Sequence, residues 1–143
     1  MILRAAQPND AAATGAILTE FVSETPWMPK LHTSEQDQGF CLAMIDRGWV
    51  RVADAGGVVG FIARNKSEVN ALYVAQAHRG RGVGAALLQE AQSAEDHLTL
   101  WTFQDNLGGR RFYAAHGFYE VSRTDGQQTD EKLPDVQLEW KRR

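Results

Sequence analysis

The sequence has few of the residues that staple or metallate small proteins. Cys41 is its single cysteine, so no intrachain disulfide and no cysteine-based zinc site can form. Its four histidines show no paired ligand spacing, the acidic residues are scattered, and no metal is expected. There is no basic excess. Fifteen Lys and Arg against 18 Asp and Glu give a net charge of −3, which argues against a general nucleic-acid binder. No apolar run reaches the ~20 residues of a membrane span. Arg4 and Gln7 interrupt the N-terminus where a secretion signal would be apolar. A reducing, cytoplasmic location without a membrane partner is therefore expected. There is no repeat, low-complexity tract or Pro/Ser-rich linker. What is present is ordinary for a folded protein: 143 residues, 43% hydrophobic and 23% charged. That is enough chain for one core and a single domain over residues 1–143, since folds of ~150 residues bury roughly 68–70% of their unfolded surface.

Helical and strand patterns alternate, which indicates an α/β (α+β) fold. Ile2–Ala5 reads as a strand. Pro8-Asn9-Asp10 starts a helix with Ala13, Ile17, Leu18, Phe21 and Val22 on its apolar side; Pro26 and Pro29 end it. Ser34 is the expected N-cap of a second helix that turns Phe40, Cys41, Met44 and Ile45 to the core. Residues 49–54 and 58–64 read as strands around Ala55-Gly56-Gly57, and Glu68–Val74 as a third. A helix over 83–95 puts Val83, Leu87, Leu88, Ala91 and Ala94 on one face. Residues 98–102 form a strand and 107–116 a short helix. Tyr119–Thr124 and 136–140 are closing strands. The order is β-α-α-β-β-β-α-β-α-β-β.

The stretch Arg79-Gly80-Arg81-Gly82-Val83-Gly84-Ala85 carries the most chemistry. Its glycines alternate where a helix should begin. They remove the Cβ atoms that would block a ligand and permit positive φ. Exposed N–H groups at the positive end of a helix attract an anion, and Arg79 and Arg81 add charge. The natural guest is a pyrophosphate. A Walker site would need Gly-Lys-Ser/Thr, and Val83-Gly84-Ala85 stands there instead. Gly80, Gly82 and Ala85 also fit the dinucleotide pattern G-x-G-x-x-G/A, with Asp105 about 20 residues on. That fold wants its first glycine at the strand end, whereas residues 75–79 intervene here. Nicotinamide-dinucleotide binding stays as an alternative.

Leu72-Tyr73-Val74 followed by Arg79, Gly82 and Gly84 resembles the acetyl-CoA signature Q/R-x-x-G-x-G/A of the GNAT superfamily of N-acetyltransferases. Asn106 and Phe112-Tyr113-Ala114-Ala115-His116-Gly117-Phe118 resemble that family's N-x-x-A-x-x-F-Y-x-x-x-G-F segment. The resemblance covers essentially the whole chain. It implies a mixed, mostly antiparallel central sheet of about seven strands flanked by about four helices. It departs at Gln76, where proline is common, and at Gly108-Gly109. Each interior glycine costs a helix about 1 kcal/mol relative to Ala, so a frayed helix start is expected there.

The resemblance further implies acetyl-CoA as co-substrate and direct transfer to a primary amine of a small molecule or peptide in a ternary complex. The pantetheine arm would pair with the backbone of Leu72, Tyr73 and Val74. The pyrophosphate would rest on Arg79, Gly80, Arg81, Gly82, Val83, Gly84 and Ala85. Asn106 would contact the arm. Tyr113 would be the acid, its phenol of pKa ~10 matching a thiolate; otherwise it packs beside Phe112. Glu68 would be the base, partly buried; otherwise it is a solvated strand residue or pairs with Lys66. Trp27, His32, Asn70 and Trp101 are candidate acceptor-site residues, and the polar loop over 125–134 could close over the acceptor. A non-catalytic acyl-CoA sensor on the same fold is the competing reading. Family members often form homodimers.

Overall fold

The computed structural model describes residues 1–143. Strands β1 (Ile2–Ala5), β2 (Val50–Asp54), β3 (Val58–Asn65), β4 (Glu68–Val74), β5 (His97–Phe103), β6 (Tyr119–Thr124) and β7 (Asp135–Lys141) form one seven-stranded sheet in the order β1-β2-β3-β4-β5-β7-β6. Helices α1 (Ala11–Glu24), α2 (Ser34–Asp46), α3 (Val83–Ala94) and α4 (Leu107–Ala115) flank it. Only β4 and β5 pair in parallel. The element order is the one the sequence pattern predicts.

Alternation along the strands divides the core in two. Ile62, Leu98 and Val136 pack with Val83, Leu87, Leu88 and Tyr113 of α3 and α4. Phe61 and Ala63 pack with Ile17, Cys41, Met44 and Ile45 of α1 and α2. Successive strand residues point to opposite faces, so the two helix pairs lie on opposite faces of the sheet.

Three details differ from the sequence reading. Thr33, not Ser34, caps α2: its hydroxyl accepts from the Gln36 N–H at 3.1 Å, and Gln36 Oε1 accepts from the Thr33 N–H at 2.8 Å. Both residues suit a cap, and the glutamine three positions on selects Thr33. Phe40 and Ala94 face solvent. The buried stripe of α2 includes Asp37 instead, whose carboxylate accepts from Thr19 Oγ1 at 2.7 Å. On α1, Ala11, Thr14, Gly15 and Ile17 are buried, while Ala13, Phe21 and Val22 are half-buried.

The start of α1 is tied to the edge of the sheet. Arg4 on β1 grips both carboxylate oxygens of Asp10, at 2.8 and 3.0 Å. Asp10 also accepts the Gln7 N–H at 2.7 Å. The Arg4 hydrogen bond is the main reason the Asp10 carboxyl lies below its usual range. A depressed carboxyl contributes stability above its unfolded value of about 3.9, and the contribution is lost as pH falls through the lower folded value. Asp10→Asn should therefore destabilise the protein at pH 7 by about 1–3 kcal/mol. Urea melts at pH 7 and pH 3 will show the gap between parent and variant shrinking at the acid end.

Candidate active site

β4 and β5 pair at only two positions, Glu68 with Thr99 and Val69 with Leu100. Beyond them the strands part. The cause lies on the other side of β4. There the register with β3 shifts, leaving Asn70 without a partner between Val69 and Ala71, and a bulge bends its strand. The Ala75 N–H donates to the Val59 carbonyl at 2.8 Å, in register with Tyr73 opposite Phe61. By the two-residue period Tyr73 also bonds to β3, so the N–H and C=O groups of Leu72 and Val74 face the gap. The gap opens into a cleft of about 630 Å³ that joins both faces of the sheet. Phe21 and Met28 line it on one side; Val83, Gly84, Phe112 and Tyr113 line it on the other.

The glycine loop closes one end. Gly80 and Gly82 have φ of 74° and 84°, a left-handed conformation that favours glycine. No atom lies within 4 Å of where a Cβ would stand at either residue. The first helical bond of α3 runs from the Ala86 N–H to the Gly82 carbonyl at 3.0 Å. The N–H groups of Val83, Gly84 and Ala85 therefore have no partner within the helix, and they sit at the positive end of its dipole. Arg81 is exposed beside them.

Arg79 differs from the reading that gave it to an anion. Its guanidinium pairs with Glu24, and its Nε donates to the Val74 carbonyl at 3.0 Å. Glu20 Oε1 accepts the Gln76 N–H at 2.8 Å. Two carboxylates of α1 thus hold the loop by its backbone and by Arg79, which acts as a strut. The second carboxylate oxygen of Glu24 is buried without a partner.

Asn106 also has structural work. Its Oδ1 accepts the Gly109 N–H and its Nδ2 donates to Thr102 Oγ1, both at 3.1 Å. A Cβ on Gly109 would lie 2.4 Å from that Nδ2. The glycine makes room for the cap, which corrects the expectation of a frayed helix start. One N–H of the Asn106 amide stays available, and the residue lines the cleft. Tyr113 is buried, with Phe112 and Phe118 edge-on at 5.2 and 5.3 Å. Its side chain lines the cleft, and burial pushes its hydroxyl well above the usual phenol range.

The α1/α2 side of the cleft is aromatic. Tyr73 packs against Phe21 at 5.0 Å and Phe61 at 5.9 Å. Burial, with a smaller push from Glu131, raises its hydroxyl to about 12. Leu98 and Leu100 belong to the α3/α4 core, so Thr99, Trp101 and Phe103 face the α1/α2 side. Trp101 and Asn70 line the cleft. Trp27 does not: it packs edge-on to Phe103 at 5.8 Å, and its neighbour Met28 takes the wall. His32 is exposed and away from the lining. Glu68 is exposed at the closed end of the gap, not partly buried as expected. Lining residues to which the sequence reading gives no site role include Phe21, His78 and Phe103. None of these three stands in a motif, and only the fold brings them together. In the loop between β6 and β7, Thr129 Oγ1 donates to the Gly126 carbonyl at 2.9 Å, so that loop is folded on itself.

Residues 38–120 match the family described as Acetyltransferase (GNAT) domain. The chain is 33% identical over 95 residues to peptidyl-lysine N-acetyltransferase YiaC of Escherichia coli, a stretch of 66% of this chain and 63% of that protein, less than two thirds of its length. Among solved structures, apo YjaB from Escherichia coli superposes with a TM-score of 0.82 at 21% identity, covering 98% of each chain. Salmonella typhimurium yncA, solved with its cofactor acetyl-CoA, superposes with a TM-score of 0.75 at 20% identity, covering 99% of this chain and 93% of that one. These superpositions show that the solved structures share the fold. With the family match spanning more than half of its length, this chain belongs to the GNAT acetyltransferase family.

Proposed function

We propose that residues 1–143 form one N-acetyltransferase domain that moves an acetyl group from acetyl-CoA to a primary amine, by direct transfer with both substrates bound. The observation that carries this reading is that the 630 Å³ cleft joins an unpaired strand edge to a free helix N-terminus. The two features suit the two halves of acetyl-CoA. An amide-bearing arm can add to Leu72 and Val74 as a strand adds to a sheet edge. A pyrophosphate can sit on the Val83, Gly84 and Ala85 N–H groups, with Arg81 beside it. Gly80 and Gly82 leave the space a phosphate needs.

When bound, acetyl-CoA supplies an acetyl group already activated as a thioester. The chain's own groups do the rest. Val74 holds the arm nearer the glycine loop, and the Leu72 N–H, nearer the closed end of the gap, is a donor for an acyl oxygen that gains negative charge. Tyr113 is a neutral donor toward the sulfur. Its raised pKa makes it a weaker acid than a free phenol, and so more a hydrogen-bond partner of a departing thiolate than a ready proton source. The amine enters on the α1/α2 side, past Phe21, Met28, Tyr73 and Trp101. Glu68 shares that face with Thr99 and would serve the amine through water. The acceptor class we favour is a peptide lysine, the substrate named for YiaC.

Calorimetric titration tests the reading. Saturable binding of acetyl-CoA, and none of NAD, is expected; binding of NAD alone would overturn it. Gly82→Val forces a β-branched residue to φ of 84° and puts a side chain into the anion site. Its affinity for acetyl-CoA should fall at least about tenfold, a loss of ~1.4 kcal/mol, with a thermal melt confirming the fold. Tyr113→Phe should lower kcat about 10- to 10²-fold, the worth of one hydrogen bond to a charged group, with little change in acetyl-CoA affinity. Parent kcat should show no alkaline fall from Tyr113 below pH 10, because its hydroxyl stays protonated. Equal kcat in parent and Tyr113→Phe would remove the residue from the chemistry.

A further inference from the structure

Three of the seven strands have no helix over them on the acceptor side, where Trp27 packs on Phe103 at the end of β5. α1 packs on β3 and β4, and no helix covers β5, β7 and β6 on that face. Register identifies what the bare face presents. Trp101 stands opposite Gln137 and Gln137 opposite Ser122; Thr99 stands opposite Glu139 and Glu139 opposite Tyr119. Cross-strand partners share a face, and Leu98, Leu100, Val136 and Leu138 occupy the other one. Trp101 is 48% and Tyr119 45% exposed. Glu68, paired in register with Thr99, lies on the same face. The charges on this face are therefore the carboxylates of Glu68 and Glu139, with that of Asp135 buried and bonded to Thr124, against the single ammonium of Lys141, which stands 3.5 Å from Glu139 and is 65% exposed. Trp101 belongs both to this face and to the cleft, so the surface runs without a break into the proposed amine entrance.

We propose that this bare face docks the polypeptide bearing the acceptor lysine and favours basic residues on one flank of that lysine. The proposal rests on the acetyltransferase reading. Exposed aromatic rings and an acidic excess suit guanidinium and ammonium groups, with about 0.5–1 kcal/mol for an exposed cation–π contact. From β5 across β7 to β6 is roughly 10 Å at ~4.8 Å per strand. An extended peptide covers that distance in about three residues. The footprint is thus about three residues on one side of the lysine.

The test uses nine-residue capped peptides with one central lysine, flanked on one side or the other by arginines or by glutamates. Binding to the protein loaded with CoA is measured by calorimetry in the parent, in Tyr119→Ser and in Glu139→Gln. Thiol release from acetyl-CoA with a capped single lysine is followed separately. The parent should bind an arginine-flanked peptide more tightly than its glutamate counterpart. Each variant should lose about two- to fivefold of that affinity, the equivalent of one exposed contact, with turnover of the single lysine unchanged. Equal affinity for both peptides, or parental affinity in both variants, would overturn the proposal. So would a parent dimer in sedimentation that Tyr119→Ser dissociates, since the face would then belong to a second copy. Preferential peptide binding with no thiol release from any acceptor would keep the docking surface and sink the acetyltransferase reading instead.

Discussion

The site exists because two neighbouring strands stop bonding to one another after two residue pairs. Unpaired backbone groups in a sheet interior are costly, so something must hold β4 and β5 apart. β4 is fastened to β3 almost along its length, and β5 to β7 along all of its own. Each strand therefore has a committed partner on its outer side. The bulge at Asn70 turns β4 away while each strand stays fastened on its outer side. The result is an edge inside a sheet, sheltered from the pairing that makes outer edges prone to aggregation.

This arrangement also separates two tasks in space. The α3/α4 face offers the helix N-terminus and the buried Tyr113. The α1/α2 face offers an aromatic entrance. A group entering from one side meets a group held on the other at the level of the sheet, where backbone donors converge. Few elements of the fold can be removed from this scheme. Even the helix distant from the loop in sequence, α1, takes part, because its last two turns carry the acidic residues that fix the loop.

Local patterns made much of this legible. The order of elements follows from periodicity and turn chemistry, and the composition of the glycine loop already points to a left-handed turn opening a helix. The misreadings have two causes. Some are local. Thr33 and Ser34 differ as caps only through Gln36, and Asn106 reads as a ligand contact until Thr102 and Gly109, three or four residues away, are seen to use its amide. The others depend on contacts between distant segments, which spacing cannot report. Arg79 reads as free charge until Glu24, distant in sequence, is brought beside it. Glu68 reads as partly buried because neighbours in sequence do not reveal the closed end of a gap. The apolar lining of the cleft depends on such distant contacts most.

The tie between α1 and the glycine loop has a consequence for how the site can vary. Glu20 and Glu24 lie on the helix that also contributes Phe21 to the opposite wall. A change that moves this helix to admit a different amine must also move the loop it holds. Coupling between two binding sites is reciprocal, so a ligand settling on the loop stiffens the far wall by the same free energy that the wall lends to the loop. On the proposed acetyl-transfer reading, selectivity for one partner and affinity for the other vary together, because one helix both carries part of the wall and holds the loop.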